Sequence, residues 1–226
     1  MLCVIPQVAP DVTRLAPGFR ALSITVEAAP LINPSAADAA MQRAEQVLAG
    51  NGPAWADAHL TAWAEVFRGF GAKPQRTPCS AEALRKRFQR DGKLPSIDPL
   101  VNLYNAISLE YAIPVGGENL AAYNGTPQLV IADGSESFDT VKDGQPFNEA
   151  PEPGEVVWRD DSGVTCRRWN WRQGVRTRLD EQARHMWFIL ESLPQMPLDA
   201  LHEAGERLEE GLRSMMPGVV IERVMV

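Results

Sequence analysis

The spacing of apolar residues changes along the chain, and this change restricts the fold more than any other feature of the sequence. Between residues 35 and 111 apolar side chains recur every three or four positions, as in Leu60, Trp63 and Phe67, which is typical of amphipathic helices. From residue 128 onward, short apolar runs alternate with turn residues such as Asp143-Gly144, which is typical of strands. Helices followed by strands predict an α+β fold, in which the helices pack on a curled mixed sheet or a small β-barrel.

Local start and stop signals give bounds for these elements. Ser35 and Asp38 resemble a capping box, and Asp98-Pro99 has the residues expected at the start of a helix. The predicted helices span residues 35–49, 53–70, 81–90, 98–113 and 197–216, and the predicted strands span 18–28, 129–133, 137–141, 156–159, 164–171, 186–190 and 219–224. We also expect a turn at 114–117, a proline-rich loop at 146–154 and a single domain over residues 1–226.

The distribution of charge restricts the function. A formal net charge of −7 argues against a general nucleic-acid coat protein, since binding to phosphates requires clustered lysine and arginine. Half of the 22 basic residues nevertheless fall in two stretches, namely Arg76, Arg85, Lys86, Arg87, Arg90 and Lys93, and then Arg167, Arg168, Arg172, Arg176 and Arg178. Two hypotheses remain open: the stretches form a local anion site on an otherwise acidic protein, or each is a solvated face.

Several common catalytic and metal-binding motifs are absent from the sequence. It contains no phosphate-binding loop, no dinucleotide fingerprint, no zinc-protease motif and no nucleophile elbow. Its three cysteines and three histidines lie far apart, so we expect no disulfide, no metal site and no cofactor. No apolar run has the length of a membrane span, and the first ten residues lack a basic region, so we expect a cytoplasmic protein that does not associate with membranes.

Three residues of reactive type have simple structural explanations. Ser80 is predicted to cap the third helix, which accounts for it without catalysis. Cys79 lies at the same helix start, where the helix dipole is placed to lower the pKa of a thiol, but no histidine is near it in sequence. His59 lies beside a core stripe, and we expect a structural role for it.

Two segments carry a resemblance to a known family. Residues 93–123 read KLPSIDPLVNLYNAISLEYAIPVGGENLAAY, and residues 163–192 read GVTCRRWNWRQGVRTRLDEQARHMWFILES. The LPSIDPLVNLYN helix, the PVG turn and the CRRWNWR strand resemble the B3/B4 domain of the phenylalanyl-tRNA synthetase beta subunit, and most of all its free-standing versions. The resemblance covers roughly residues 75–193 and implies a B3/B4-like fold that binds the aminoacylated end of a tRNA. In the synthetase, this domain removes wrongly attached tyrosine.

The sequence departs from the family at positions that bind the substrate. The family segment aligned with residues 114–119 reads Pro-x-His-x-Phe-Asp, whereas Gly116 and Glu118 occupy the His and Phe positions here. The family recognises the tyrosine hydroxyl with an acidic residue in a Gly-Gly-Glu stretch, and the aligned residues 169–172 include no acid. Any hydrolysis therefore requires a different set of polar groups.

Hydrolysis of an aminoacyl ester requires a positioned water, a donor to the developing oxyanion, and contacts to the amino acid and the terminal adenosine. We assign catalytic roles to Asn105 as a donor, to Glu118 as a general base or ammonium ligand, and to Arg167 as an anion ligand. The predicted substrate-binding residues are Tyr104, Gly116, Gly117, Arg168, Trp169, Asn170 and Trp171, and the predicted RNA-binding residues are Arg85, Lys86, Arg87 and Arg90. Each of them also has a purely structural interpretation as a cap, a turn or a core residue.

Two geometric expectations follow. Alternation along the predicted strand 164–171 places Arg168 and Asn170 on one face and Arg167, Trp169 and Trp171 on the other. Residues 94–123 and 163–192 are expected to meet around one concave pocket, with the basic third helix beside its mouth.

Three functions remain open. The first is hydrolysis, in trans, of an amino acid misattached to a tRNA. The second is non-catalytic binding of RNA or aminoacyl-tRNA, and the third is binding or hydrolysis of a small amino-acid derivative. Salt dependence distinguishes the third function from the other two, because phosphate contacts release counterions. The expected partner is a tRNA or an aminoacyl-tRNA, and we favour a monomer.

Overall fold

The computed structural model describes residues 3–180 and 182–226. Its helices are α1 (Pro10–Leu15), α2 (Ala36–Ala49), α3 (Ala56–Gly69), α4 (Ser80–Asp91), α5 (Pro99–Tyr111) and α6 (Leu198–Met215). Its strands are β1 (Gln7–Val8), β2 (Arg20–Glu27), β3 (Val115–Asn119), β4 (Gln128–Ile131), β5 (Phe138–Lys142), β6 (Gln145–Glu149), β7 (Val156–Asp160), β8 (Gly163–Arg167), β9 (Arg172–Gln173), β10 (His185–Ser192) and β11 (Val220–Met225). The predicted α+β fold with mixed sheets is confirmed.

Strand β10 lies inside a four-stranded antiparallel sheet with the order β11-β2-β10-β3. Its side chains Met186, Phe188 and Leu190 belong to one hydrophobic cluster, whereas Trp187 and Ile189 belong to another on the opposite face. Burial on both faces explains the uninterrupted apolar run in the sequence, since neither face requires polar side chains.

The two hydrophobic clusters differ in what they join. The first lies between the four-stranded sheet and helices α2, α5 and α6. The second lies under α3 and joins that sheet to a second sheet with the order β1-β4-β7-β8-β5-β6, in which β9 pairs with β8. Tryptophan rings meet edge to face in this second cluster, Trp63 on Trp169 and Trp158 on Trp187, with centroid distances of 5.3 Å in both pairs. The aromatic side of β10 therefore faces the junction of the two sheets.

The expected turn at residues 114–117 is wrong, because Val115–Asn119 forms strand β3 at the edge of the sheet beside β10. Close packing explains the second glycine of this strand. A Cβ atom at Gly117 would lie 2.9 Å from Phe188 Cε1 and 3.0 Å from Leu179 Cδ1. The glycine thus permits a tight contact with the neighbouring strand and does not reverse the chain.

Most other predicted elements are confirmed within one to three residues, including α2 to α6, β2, β10 and β11. The proline-rich loop is shorter than expected, because Gln145–Glu149 forms the edge strand β6. Pro146 is compatible with that position, since an edge strand leaves one side of its backbone unpaired. The short elements α1 and β1 were not predicted. No helix in residues 3–180 and 182–226 is long and apolar enough to cross a membrane.

Candidate functional site

A cavity of about 270 Å³ lies where helices α4 and α5 meet strands β3 and β10 and the connection between β8 and β9. Aromatic rings form much of its wall, namely Tyr104, Trp158, Trp169, Trp171 and Trp187. The polar lining side chains are Ser80, Asn105, Glu118, Asn170 and Gln173. A concave, largely apolar space with a few polar groups is the usual form of a site for a small ligand.

The two sequence segments that carry the family resemblance meet at this cavity, as expected. Seven predicted site residues line it: Tyr104, Asn105, Gly116, Glu118, Trp169, Asn170 and Trp171. The strand register explains the positions on β3. Gly116 pairs with Ile189 and Glu118 with Trp187, on the aromatic face of β10, whereas Gly117 pairs with Phe188 on the opposite face. Gly117 is therefore not among the lining residues that the structure describes, contrary to its predicted binding role.

The carboxyl group of Glu118 is buried with half of its hydrogen-bonding capacity unused. Its Oε1 accepts hydrogen bonds from Gln173 Nε2 and Thr177 Oγ1, both at 3.3 Å. Its Oε2 is buried and has no hydrogen-bond partner in the described part of the chain. Burial raises the pKa of Glu118 to about 8, although the two hydrogen bonds act in the opposite direction. A half-paired carboxyl with a pKa near neutrality at a cavity wall is a candidate general base.

Ser80 contributes a second unpaired oxygen. The prediction that it caps α4 is wrong, because the helix begins at Ser80 itself, and the cap position is held by Cys79 without a side-chain hydrogen bond. Ser80 Oγ is buried at the cavity wall, and no group in residues 3–180 and 182–226 pairs with it. A buried hydroxyl or carboxyl without a partner costs about 1–3 kcal/mol, so an arriving ligand or water that pairs with it is favoured.

Asn105 completes the set of polar groups at the cavity. It projects from α5, and its side-chain amide forms no hydrogen bond with another described residue. The amide carries both donors and an acceptor, so it can pair with an anionic or a neutral ligand atom. The donor role predicted for Asn105 is therefore compatible with its position.

A second buried carboxyl, Glu191, holds part of the cavity wall in place. Its Oε1 accepts the indole N–H groups of Trp158 at 2.9 Å and Trp169 at 2.8 Å, and its Oε2 accepts Asn170 Nδ2 at 2.9 Å. Burial raises the pKa of Glu191 to about 7. All three donors line the cavity, so Glu191 fixes two rings and one amide at once. Glu191 is not among the predicted site residues, although an acid directly after the apolar run Met186 to Leu190 was the available signal in the sequence.

The predicted strand 164–171 ends early, at Arg167. Arg168 and Trp169 adopt left-handed backbone conformations with φ of 46° and 63°, which start a turn. The predicted alternation of faces is therefore wrong, because Trp169, Asn170 and Trp171 all line the cavity. Left-handed backbone costs about 1–2 kcal/mol per non-glycine residue. A hydrogen bond of 2.9 Å from the Arg168 N–H to Glu155 Oε1 helps to offset this cost.

Arg167 lies in a buried ion-pair network and is not among the described lining residues, so its predicted contact with the substrate is not supported by its position. Its Nε and Nη2 donate to the two carboxylate oxygens of Glu155 at 2.9 and 2.8 Å, and its Nη1 donates to Glu149 at 2.8 Å. The Arg167 side chain is only 7% exposed. A bidentate pair of this kind occupies the guanidinium and links the ends of strands β6, β7 and β8 within the second sheet.

The four residues predicted to bind RNA do not share one surface. Arg85 and Lys86 border a separate groove between α3 and α4, so the expectation that they lie beside the cavity mouth is wrong. Arg87 lies one turn beyond Ala83 and Leu84, which line the cavity, and is therefore on the cavity side of α4. Each of the four already has an acidic partner: Arg85 pairs with Asp57, Lys86 with Glu82, and Arg87 and Arg90 with Asp91.

The cysteines and His59 provide no activated nucleophile or base. Burial raises the pKa of Cys79 to about 12, which outweighs its position at a helix start. Burial also raises the pKa of Cys166, on the cavity wall, well above its usual range. His59 Nδ1 lies 2.9 Å from the Ala112 carbonyl oxygen, and its Nε2 accepts from Trp63 Nε1 and the Leu193 N–H. Burial lowers the pKa of His59 to about 4, so the structural role predicted for this neutral ring is confirmed.

Comparisons with known proteins agree with this geometry. The model of the B3/4 domain family matches residues 62–225, which is a longer span than the resemblance over residues 75–193. A similar solved structure is an N-terminal fragment of the phenylalanyl-tRNA synthetase beta subunit from Pyrococcus horikoshii, with a TM-score of 0.52 and 9% sequence identity. The alignment covers 99% of this chain and 54% of that one, so the chain spans about half the length of the fragment. At this identity the similarity shows a shared fold. No curated protein matches the sequence.

Proposed function

This chain belongs to the B3/B4 domain family, and we propose that it binds the aminoacylated 3′ end of a tRNA and hydrolyses the ester of a misattached amino acid. The main support is the aromatic cavity, in which Glu118 Oε2 and Ser80 Oγ are buried and have no hydrogen-bond partner among the residues that the structure describes. Unpaired polar groups in an apolar site destabilise the protein unless a ligand or an ordered water forms the missing hydrogen bonds. A water that donates to Glu118 satisfies this condition and is also the reactant of a hydrolysis.

The size of the cavity supports an amino-acid-sized occupant. Its volume of about 270 Å³ is at the lower end of ligand pockets and suits a group of the size of an amino-acid side chain. In the proposed complex, the aminoacyl group enters between the tryptophan rings and the ribose remains at the mouth.

The proposed chemistry uses one proton acceptor and two donors. The ionised Glu118 carboxylate takes a proton from the water while the water oxygen attacks the ester carbonyl carbon. Negative charge develops on the carbonyl oxygen, where the Asn105 amide and the Ser80 hydroxyl donate hydrogen bonds. The tetrahedral intermediate then collapses, the C–O bond to the ribose breaks, and the leaving oxygen receives the proton held by Glu118. The products are the free amino acid and the tRNA.

The pH dependence follows from the raised pKa of Glu118. With a pKa of about 8, roughly one tenth of the carboxyl is ionised at pH 7. Because the ionised form is the base, the enzyme-dependent rate is expected to rise about fivefold from pH 7 to pH 8 and to level off above the pKa.

The decisive experiment is incubation with a panel of mischarged tRNAs. We expect deacylation of at least one ester, and a loss of at least about a hundredfold in Glu118→Gln, which keeps the shape of the side chain but cannot accept the proton. Asn105→Ala is expected to lose a comparable factor. The exposed Glu65→Gln is the matched control and should retain full activity. If the wild type binds tRNA but deacylates nothing, the protein is a non-catalytic binder; if both variants remain fully active, the proposed residues are wrong.

A second candidate is hydrolysis or binding of a small amino-acid derivative, and the limited size of the cavity favours it. An aminoacyl ester of adenosine carries no phosphate and fits the same cavity chemistry. Equal catalytic efficiency on this ester and on the corresponding aminoacyl-tRNA, without salt dependence for either, would favour the small substrate.

A further inference from the structure

A second hollow, of about 300 Å³, lies beside the cavity and is lined by Lys73, Arg76 and Arg168. It is joined to the cavity through the backbone. Thr77 lines the hollow and Ser80, three positions later, lines the cavity, so their Cα atoms are at most about 10 Å apart.

Arg168 and Trp171 provide a second link between the two spaces. The Arg168 guanidinium lies 4.6 Å from the centre of the Trp171 ring, and Trp171 belongs to the cavity wall. The left-handed turn at Arg168 and Trp169 explains this arrangement, since it directs Arg168 to the hollow and Trp169 into the core. One wall of the cavity therefore borders the hollow through Arg168 and the partly exposed ring of Trp171.

The hollow has an excess of positive charge. Lys73 and Arg76 are exposed and form no ion pair with any residue that the structure describes. Of the two acids in the wall, Glu155 pairs with Arg167 through both of its oxygens and also lies 3.6 Å from the Nε of Arg168. Glu152 is therefore the acid that remains to balance Lys73 and Arg76. Unpaired cations grouped in a concavity of a protein with a net charge of −7 mark a local anion site.

We propose that this hollow binds the backbone phosphates next to the 3′-terminal nucleotide of an RNA whose aminoacyl group occupies the cavity. The proposal rests on the proposed function, because it uses the position of the ribose at the cavity mouth. Lys73 and Arg76 neutralise phosphate charge, and Arg168 offers a planar guanidinium that can donate to two phosphate oxygens. The exposed part of Trp171 provides a surface on which the terminal base stacks. RNA recognition then depends on this hollow, and the basic helix α4 has a minor part.

The test is the double variant Lys73→Ala/Arg76→Ala, measured for binding to an uncharged RNA hairpin that ends in a single-stranded 3′ overhang. The dissociation constant should rise by about tenfold at low salt. The slope of log affinity against log salt should become shallower by about 1.4, because each single-strand phosphate contact contributes about 0.7. The control is Arg14→Ala/Lys142→Ala, which removes the same charge from exposed positions elsewhere and should leave the slope unchanged.

Two comparisons separate this proposal from its alternatives. If Lys86→Ala/Arg90→Ala on α4 weakens RNA binding as much as the hollow variant or more, the phosphate track lies on α4 and the proposal is overturned. Binding of inorganic phosphate in the hollow without binding of the hairpin would also overturn it, in favour of a free anion as the ligand.

The phosphate-free aminoacyl ester of adenosine distinguishes failure of this proposal from failure of the proposed function. The hollow variant should hydrolyse this ester at the wild-type rate, which also shows that it is folded. Normal hydrolysis together with unchanged RNA affinity refutes only the hollow. Absence of hydrolysis in the wild type together with weakened RNA binding in the hollow variant refutes only the catalytic function.

Discussion

The substitution Glu118→Gln is predicted to remove the part of the pH-dependent loss of stability that Glu118 causes between pH 5 and pH 9. Burial raises the pKa of Glu118 from 4.5 to about 8. The unfolded chain therefore releases this proton as the pH rises above 4.5, whereas the folded protein retains it until about pH 8. Stability consequently falls with pH across this window and levels off above it. A carboxylate held by a salt bridge has the opposite effect, because its contribution to stability rises with pH.

The magnitude follows from proton linkage. Between pH 5 and pH 9 the Glu118 carboxyl lowers the free energy of unfolding by about 4 kcal/mol, at about 1.4 kcal/mol per pH unit in the steep part. The glutamine Oε1 can still accept from Gln173 and Thr177, and the amide carries no ionisable proton. In a chain of this length, 4 kcal/mol corresponds to a difference in Tm of about 10 °C.

Urea denaturation of the wild type and Glu118→Gln at pH 5, 7 and 9 measures this difference directly. Other titrating groups, including Glu191, are present in both proteins and cancel when their free energies of unfolding are subtracted. The exposed Glu65→Gln should follow the wild-type curve at each pH. If the wild type and Glu118→Gln keep a constant difference from pH 5 to pH 9, the folded pKa of Glu118 is not raised and its assignment as a neutral-pH base loses its physical basis.

Three further predictions concern single side chains. Glu191→Ala leaves three buried donors without an acceptor, so the free energy of unfolding should fall by at least about 3 kcal/mol, with a change in tryptophan fluorescence; an unchanged urea midpoint would contradict this. Ser80→Ala removes a buried hydroxyl that no other described residue pairs with, so stability should stay constant or rise by up to about 1 kcal/mol while deacylation slows. A clear loss of stability would show that the hydroxyl is paired. Arg167→Ala removes the bidentate partner of the buried Glu155 carboxylate and should lower the free energy of unfolding by about 3–5 kcal/mol. Arg167→Met should be better tolerated only when Glu155→Gln is also made. If both single variants at Arg167 are as stable as the wild type, the structural role is refuted.

The sequence alone determined the elements with strong periodicity. Examples are the apolar stripe on α3, the start of α5 at Asp98-Pro99 and the apolar run of β10. Each follows from interactions within a few residues or from complete burial, so the local pattern was sufficient to predict the element. The family was also accessible from sequence, because the two quoted segments lie within the span of the B3/4 family model.

Tertiary structure decided which face each site residue presents. Two left-handed residues, Arg168 and Trp169, interrupt a segment that reads as a continuous strand, so no alternation rule places its side chains. Arg167 consequently pairs with Glu155, which precedes it by 12 positions and is brought beside it by the β7–β8 hairpin. Charge patterns in sequence carry no information about such partners.

The same limit applies to the polar groups of the cavity. In sequence, Ser80 has the features of an N-cap, and Glu118 and Glu191 look like ordinary acids. Their distinctive chemistry arises from burial and from the partners that the fold supplies. Within residues 3–180 and 182–226, one oxygen of Glu118 has two donors, Glu191 has three, and the Ser80 hydroxyl has no partner. The sequence thus determined the strongly periodic elements and the family, since these depend on local and repeated interactions. Only the packing of the two sheets decided which side chains are left without partners, and therefore where a ligand is favoured.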